Sequence, residues 1–364
     1  MTNSDPQFAQ QLLSWWDENG RHDLAWQQNP TPYRVWVSEI MLQQTQVATV
    51  ERYYNRFMSS FPDIQALAQA SQDEVLHHWS GLGYYSRARN LHKAAQQVVD
   101  LHKGVLPNTL DGLMALPGIG RSTAGAILSL ASGQRQPILD GNAKRVLARV
   151  FCIEGWTGSA VNLKKLWQLA ECCTPADRVA NYTQAIMDVG ATLCTRTKPA
   201  CPVCPLQSHC AALSAGLVTS IPAPKPKKVR PVRSAVLVMA TRGENEILLE
   251  KRPPTGIWGG LWSFPEVESI AAIDAWCINQ LGVIPATKQT WPDVSHSFSH
   301  FEFMMTPVEI TFQSAGETVD EVPQAGVMEA DRWLWYNTRS PAGIGLAAPV
   351  ARLIQQLDRH SGEQ

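Results

Sequence analysis

No apolar run in the 364-residue sequence approaches the ~18 residues of a membrane-spanning helix. The first ten residues also lack the basic-then-apolar order of a signal peptide, so the sequence reads as cytoplasmic. Charge is scarce: only 17% of residues are charged and the net charge is −1, while 45% are hydrophobic. That balance excludes a disordered chain and leaves room for two or three domains, each with its own core. Eight cysteines in a reducing compartment do not make a disulfide framework.

Acidic residues are missing altogether from 221–233, which holds five basic residues and four prolines. Proline fixes φ and removes donors, so this stretch reads as an extended linker. Before it, residues 1–220 carry 18 basic and 16 acidic side chains; after it, residues 234–364 carry 8 and 16. A mildly basic first part and a basic linker suit a nucleic-acid partner.

Alternating apolar patterns are absent before residue 220. Phe8, Leu12, Leu13 and Trp16 recur at helical spacing, and Val35–Val50, Ala88–Val99, Thr123–Leu130 and Ala143–Val150 show similar faces. Thr109 and Asp111 offer helix starts. The first part reads as all-α. After the linker the period changes to short runs, 235–240 and 246–250, around a turn at 242–245. Phe301, Phe303 and Met305, then Val308, Ile310 and Phe312, alternate around Pro307, which predicts an edge or bulge there. Trp333–Trp335 reads as a further strand and Pro349–Leu357 as a closing helix with proline in its first turn, giving an α+β second part.

Cys194, Cys201, Cys204 and Cys210 form a C-x6-C-x2-C-x5-C array. A zinc ribbon normally uses two C-x2-C pairs and only one is present, whereas an iron–sulfur cluster accepts irregular spacing. The spacing therefore favours iron–sulfur, in a structural or redox-signalling role, since four protein ligands leave no open position. Upstream, Leu116-Pro117-Gly118-Ile119-Gly120 separates two helical segments, a turn whose amides can point at a phosphate from a helix N-terminus. Small residues follow at 122–126 and permit close backbone approach. Asp140 comes twenty residues after Gly120 and is followed by Gly141, a pattern that also fits a helix N-cap.

These three motifs, in this order, resemble the helix–hairpin–helix DNA glycosylase superfamily that carries a [4Fe–4S] cluster. Two branches compete: endonuclease III-like bifunctional glycosylase/lyases for oxidised pyrimidines, and MutY-like adenine glycosylases. The first carries a nucleophilic Lys just after the hairpin; here that position is Ser122, which can form no Schiff base. Ser38–Val47, with Glu39 and Gln43, resembles the MutY-like catalytic segment, and the chain continues far beyond the cysteines, as that branch does. The last part resembles a Nudix fold but lacks the R-E-x-x-E-E helix that would hold Mg²⁺, so it reads as a binding module.

The resemblance implies a multidomain chain: a 1–220 catalytic region (a six-helix part at about 29–137, a cluster part from 1–28 and 138–220), the 221–233 linker and a 234–364 Nudix-like domain. It implies a monomer acting on double-stranded DNA with A:8-oxoguanine or A:G mispairs, in a bacterial-type cytoplasm and nucleoid-associated through that DNA. The bifunctional pyrimidine glycosylase/lyase remains the alternative. By the same resemblance Glu39 is the general acid and Asp140 the anion that steadies the sugar cation. Ser122 and Asn142 support them, and Lys144 either traps the abasic product or faces solvent or phosphate. Gln43 and the Leu82-Gly83-Tyr84 turn fill the vacated stack, Gly118 and Gly120 hold phosphate, and Phe298, Ser299 and His300 recognise 8-oxoguanine. On spacing alone, Glu39 beside Ser38 reads as a first-turn capping carboxylate. Trp36 and Leu42 are expected as its apolar neighbours, with Trp26 and Trp36 lining the pocket.

Overall fold

Proline at the first helical position and a threonine cap start the helix Pro32–Leu42, where Thr31 Oγ1 accepts from Arg34 N at 3.3 Å. It ends at Gln43, and the next helix, Val47–Ser60, begins only after a turn in which Gln44 takes a left-handed φ of 58°. The continuous apolar face read over Val35–Val50 is therefore two helices. Neither Pro nor Gly announces the break; Thr45 N closes the turn by donating to Leu42 O at 3.2 Å, and Gln43 Nε2 donates to the distant Thr123 Oγ1 at 3.4 Å. The computed structural model describes residues 6–226, 229–243, 245–298, 300–312 and 332–361. It divides into two units, Met1–Gln69 with Asn90–Lys227, and Ala70–Arg89 with Lys228–Gln364.

The first unit is helical. Thr109 caps Leu110–Met114, its Oγ1 accepting from Gly112 N, and the Pro117-Gly118 turn leads into Arg121–Ser132. Gly118 sits at φ 80°, where an L side chain would be strained and a Cβ would lie 2.8 Å from Asn90 Cβ. Helix Arg121–Ser132 packs against both Pro32–Leu42 and Val179–Asp188. Gly125 permits one close approach: a Cβ there would meet Pro137 O at 2.5 Å. Phe8, Leu12, Ile138, Leu139, Leu147, Leu166 and Ile186 share a buried core that joins the N-terminal helix Pro6–Asn19 to Gly141–Val150.

The second unit is built on one mixed sheet. Its strands are β1 (Val232–Arg242), β2 (Glu246–Lys251), β3 (Trp262–Ser263), β4 (Glu266–Val267), β5 (Thr287–Thr290), β6 (Val294–Ser297), β7 (Glu302–Thr311) and β8 (Trp333–Asn337). The backbone order is β3-β2-β1-β7-β5, with β4 on β1, β6 on β7 and β8 on β2; among the described strand pairs only β1 and β7 run parallel. Helix Ile273–Leu281 buries Ile273, Cys277 and Leu281 against Val236, Val238, Val308 and Ile310. Two expectations are corrected here. The strand begins inside the linker, at Val232. Pro307 lies in a central strand rather than at an edge: β6 pairs with 302–305 and β5 with 308–311, so the missing N–H falls where the neighbour changes. The buried alternation slips phase at the same point, with Pro307 and Val308 both buried, as the apolar pattern around Pro307 predicts.

Segment 70–89 belongs to this unit. Ser71 and Glu74 form a reciprocal capping box at the start of Gln72–Trp79. Asp73 pairs with Lys251 at 3.0 Å, and Tyr85 OH donates to Leu346 O at 3.3 Å. Gly345 lets the chain pass: a Cβ there would sit 2.6 Å from Leu76 Cβ.

Candidate active site

Four helix ends converge on one cavity of about 720 Å³ in the first unit. Glu39 and Leu42 come from the end of Pro32–Leu42, and Gln43 from the turn that follows. Ser122 and Thr123 come from the first turn of Arg121–Ser132, Asp140 and Asn142 from the start of Gly141–Val150, and Gln184 and Met187 from Val179–Asp188. Glu39 stands in the last turns of its helix, so the first-turn capping reading fails. Trp26 and Leu42 line the cavity; Trp36 does not, being fully buried in the core.

Glu39 and Asp140 meet different surroundings. Burial, and secondarily the nearby Asp140 charge, push the Glu39 carboxyl up to about 8. Burial also raises Asp140, but amide bonds from Ala143 and Asn142 and the charges of Arg145 and Lys144 oppose that rise. Asp140 is indeed the N-cap: its Oδ1 accepts from Ala143 N at 2.7 Å. Of the two carboxyls, the one at a helix N-terminus and near two cations is the better anion, and the one without them the better acid.

The supporting residues act through this frame. Ser122 Oγ accepts from Leu139 N at 3.0 Å and so holds the backbone just before Asp140. Asn142 Oδ1 accepts from Arg145 Nη2 at 2.7 Å, and the same guanidinium reaches Gly190 O and Cys194 O at 2.6 Å. Lys144 is not among the cavity-lining residues. Gln43 Nε2 approaches Thr123 Oγ1 at 3.4 Å. Sequence spacing did not mark Arg21, Gln184 or Asp188. Asp188 is fully buried and accepts from Trp16 Nε1, Gln184 Nε2, and Arg21 N, Nε and Nη2, at 2.6–3.2 Å. The only signal was Gln184 and Asp188 four apart on one helix.

At the hairpin, Gly120 is the N-cap of Arg121–Ser132, and nothing lies within 4 Å of a Cβ built on it. The first intrahelical bond there is Ala124 N to Gly120 O, so the preceding amides lack intrahelical partners. Leu82, Gly83 and Tyr84 form a braced turn: Arg87 lies between the Trp79 and Tyr84 rings and donates to Leu82 O and Gly83 O. Leu82 is buried while Tyr84, at φ 49°, is half exposed. Phe298 and His300 sit at the tip of the β6–β7 hairpin. Phe298 N donates to Phe301 O, and the two rings stack at 4.6 Å beside Trp258 and His296. Ser299 lies outside the described residues.

Cys194, Cys201, Cys204 and Cys210 line one cavity with Arg149, whose Nη1 donates to Cys194 Sγ at 3.3 Å. Among the described residues no group of three or more His, Cys, Asp or Glu is spaced to hold a single metal ion. Four thiolates are soft donors of the kind that bind iron–sulfur centres or zinc, and all four line this one cavity.

Residues 37–172 match the HhH-GPD superfamily of base excision DNA repair proteins, and 235–356 match the NUDIX domain. An adenine DNA glycosylase of Buchnera aphidicola (from Acyrthosiphon pisum) is 37% identical over 97% of this chain and 98% of its own length. The Homo sapiens adenine DNA glycosylase is 35% identical over 93% of this chain and 72% of its own. The solved structure of a thermostable thymine-DNA glycosylase superposes with a TM-score of 0.51 at 26% identity, over 57% of this chain and 95% of that one. With near-full-length relatives of one kind and a helical repair domain joined to a Nudix-like one, the chain belongs to the adenine DNA glycosylase family.

Proposed function

We propose that this chain hydrolyses the N-glycosidic bond of adenine mispaired with 8-oxoguanine or guanine in duplex DNA, as the first step of base excision repair. The observation that carries the reading is the pairing of Glu39 and Asp140 across one cavity with unlike surroundings. The enzyme is an N-glycosylase, a hydrolase, and its partner is DNA.

The target base is flipped out of the stack, at a cost of a few kcal/mol. Glu39, protonated at neutral pH, gives its proton to adenine N7, and the C1′–N9 bond breaks with its electron pair leaving on the purine. The Asp140 carboxylate steadies the oxocarbenium-like sugar, and Glu39, now ionised, takes a proton from the attacking water. Ser122 and Asn142 hold the Asp140 segment; Gln43 and Tyr84 support the opened duplex. Gly118 and Gly120 receive a phosphate. Phe298, Ser299 and His300 read 8-oxoguanine, within a division into a 1–220 catalytic region, a linker from 221 that ends where β1 begins, and a Nudix-like recognition domain after it. Cys194, Cys201, Cys204 and Cys210 would hold one [4Fe–4S] cluster, which supplies structural or redox capacity to that loop. The protein acts as a monomer in the cytoplasm.

Ser122 in place of an amine, and Lys144 outside the cavity lining, favour this monofunctional reading over a pyrimidine glycosylase/lyase. Single-turnover assays on A:8-oxoguanine, A:G and thymine-glycol duplexes test it, with iron and sulfide measured on the same sample. Adenine release from the first two, strand cleavage only after alkali, and about 10²–10⁴-fold loss in Glu39→Gln are expected. Nicking without alkali as fast as base release would sink it.

A further inference from the structure

Trp26 and Gln184 line not only the catalytic cavity but a second one of about 260 Å³ in the same unit. Its other walls include Trp16 and His22, whose rings meet edge to face at 4.2 Å, and the amides of Gln27 and Asn181. No Lys, Arg, Asp or Glu lines it. Its size falls just below the ~300–1,000 Å³ of pockets for drug-sized ligands, which suits a single small heterocycle.

The lining chemistry narrows the ligand. Indole walls favour a flat π-system. Gln184 Nε2 is committed to Asp188, and Gln27 Oε1 accepts from Leu24 N at 3.3 Å, so these amides offer an oxygen and a nitrogen respectively. Asn181 carries no side-chain hydrogen bond among the described residues. An Asn or Gln amide pairs with the amino group and adjacent ring nitrogen of adenine. With no Lys or Arg in the lining to pair with a phosphate, a free base fits this cavity better than a nucleotide.

We propose that this cavity is a second, non-catalytic site for a free amino-substituted purine base, the class of product that excision releases. The choice of ligand rests on the adenine-excising reading; the cavity and its amide edge do not.

The test titrates full-length, DNA-free protein with free adenine by calorimetry. The wild type should bind two equivalents and Asn181→Leu one, while single-turnover release from an A:G duplex stays within about twofold. Ala180→Leu, which fills the cavity from the same helix, should repeat that result. Wild-type crystals soaked in 8-bromoadenine should give an anomalous bromine peak beside Asn181, and they decide the matter if either variant fails to fold. One equivalent in the wild type, unchanged stoichiometry in the variants, or bromine confined to the Glu39–Asp140 cavity would overturn the proposal. Two equivalents without adenine release from any duplex would instead defeat the functional reading and leave the site standing.

Discussion

In the proposed reaction two carboxyl groups carry the chemistry, and their titration gives opposite limbs of a pH profile. Glu39 must be protonated to act, and burial places its pKa at about 8, so single-turnover base release should fall roughly tenfold per unit above pH 8. Asp140 must be ionised; burial raises it above 3.8, so the acid limb should lie above that value. The same shift has a stability consequence. A carboxyl whose folded pKa is raised contributes stability that is complete below its unfolded value of 4.5 and is lost as pH rises through 8. Glu39→Gln should therefore melt with the wild type at pH 4 and above it at pH 8, by on the order of a few kcal/mol at ~1.4 kcal/mol per unit. Equal melting temperatures at both values would contradict the assignment. Asp140→Asn separates structure from chemistry. Asparagine caps a helix about as well as aspartate, so denaturant midpoints should barely move while base release drops by orders of magnitude.

At the scale of elements, the cavity depends on close backbone approaches that only small residues allow. The chain passes from helix Val179–Asp188 into a π-turn, Val189–Leu193, and a Cβ on Gly190 would fall 2.5 Å from Asn142 Cβ. Gly190→Ala should push the start of Gly141–Val150 away, costing about 1–3 kcal/mol in urea unfolding and lowering the excision rate together. Gly120→Ala is its counterpart, because its Cβ meets open space. Any loss of cap is limited to about 1 kcal/mol, so a larger effect would appear in DNA affinity and its salt dependence. Were Gly120→Ala to bind duplex as the wild type does across salt concentrations, the phosphate role of that turn would be withdrawn.

Across the whole molecule, the proposed function gives recognition and removal to different units. Phe298→Ala with His300→Ala, at the exposed tip of the β6–β7 hairpin, should narrow the preference for A:8-oxoguanine over A:G and leave removal from A:G nearly unchanged. Equal loss on both duplexes would count against the division. The second unit also includes 70–89, so the Tyr84 turn is anchored to the Nudix-like sheet by Asp73–Lys251 and Tyr85–Leu346. Linear order groups that segment with the catalytic helices.

Local chemistry was enough to mark the helix starts at Thr109 and Pro349, the pairing of β1 with β2, the PGIG turn and the four cysteines, because caps, prolines and glycines act over a few residues. The Asp140 cap was legible for the same reason. The central position of Pro307 and the exclusion of Trp36 from the cavity were decided by neighbours distant in sequence. So were Arg21 and Gln184, which reach the cavity through a carboxylate 167 residues from Arg21 along the chain. Residue types and short spacings specify what chemistry is available. Only packing, which sets burial and therefore protonation, decides that Glu39 holds its proton and that Asp140 faces the same space.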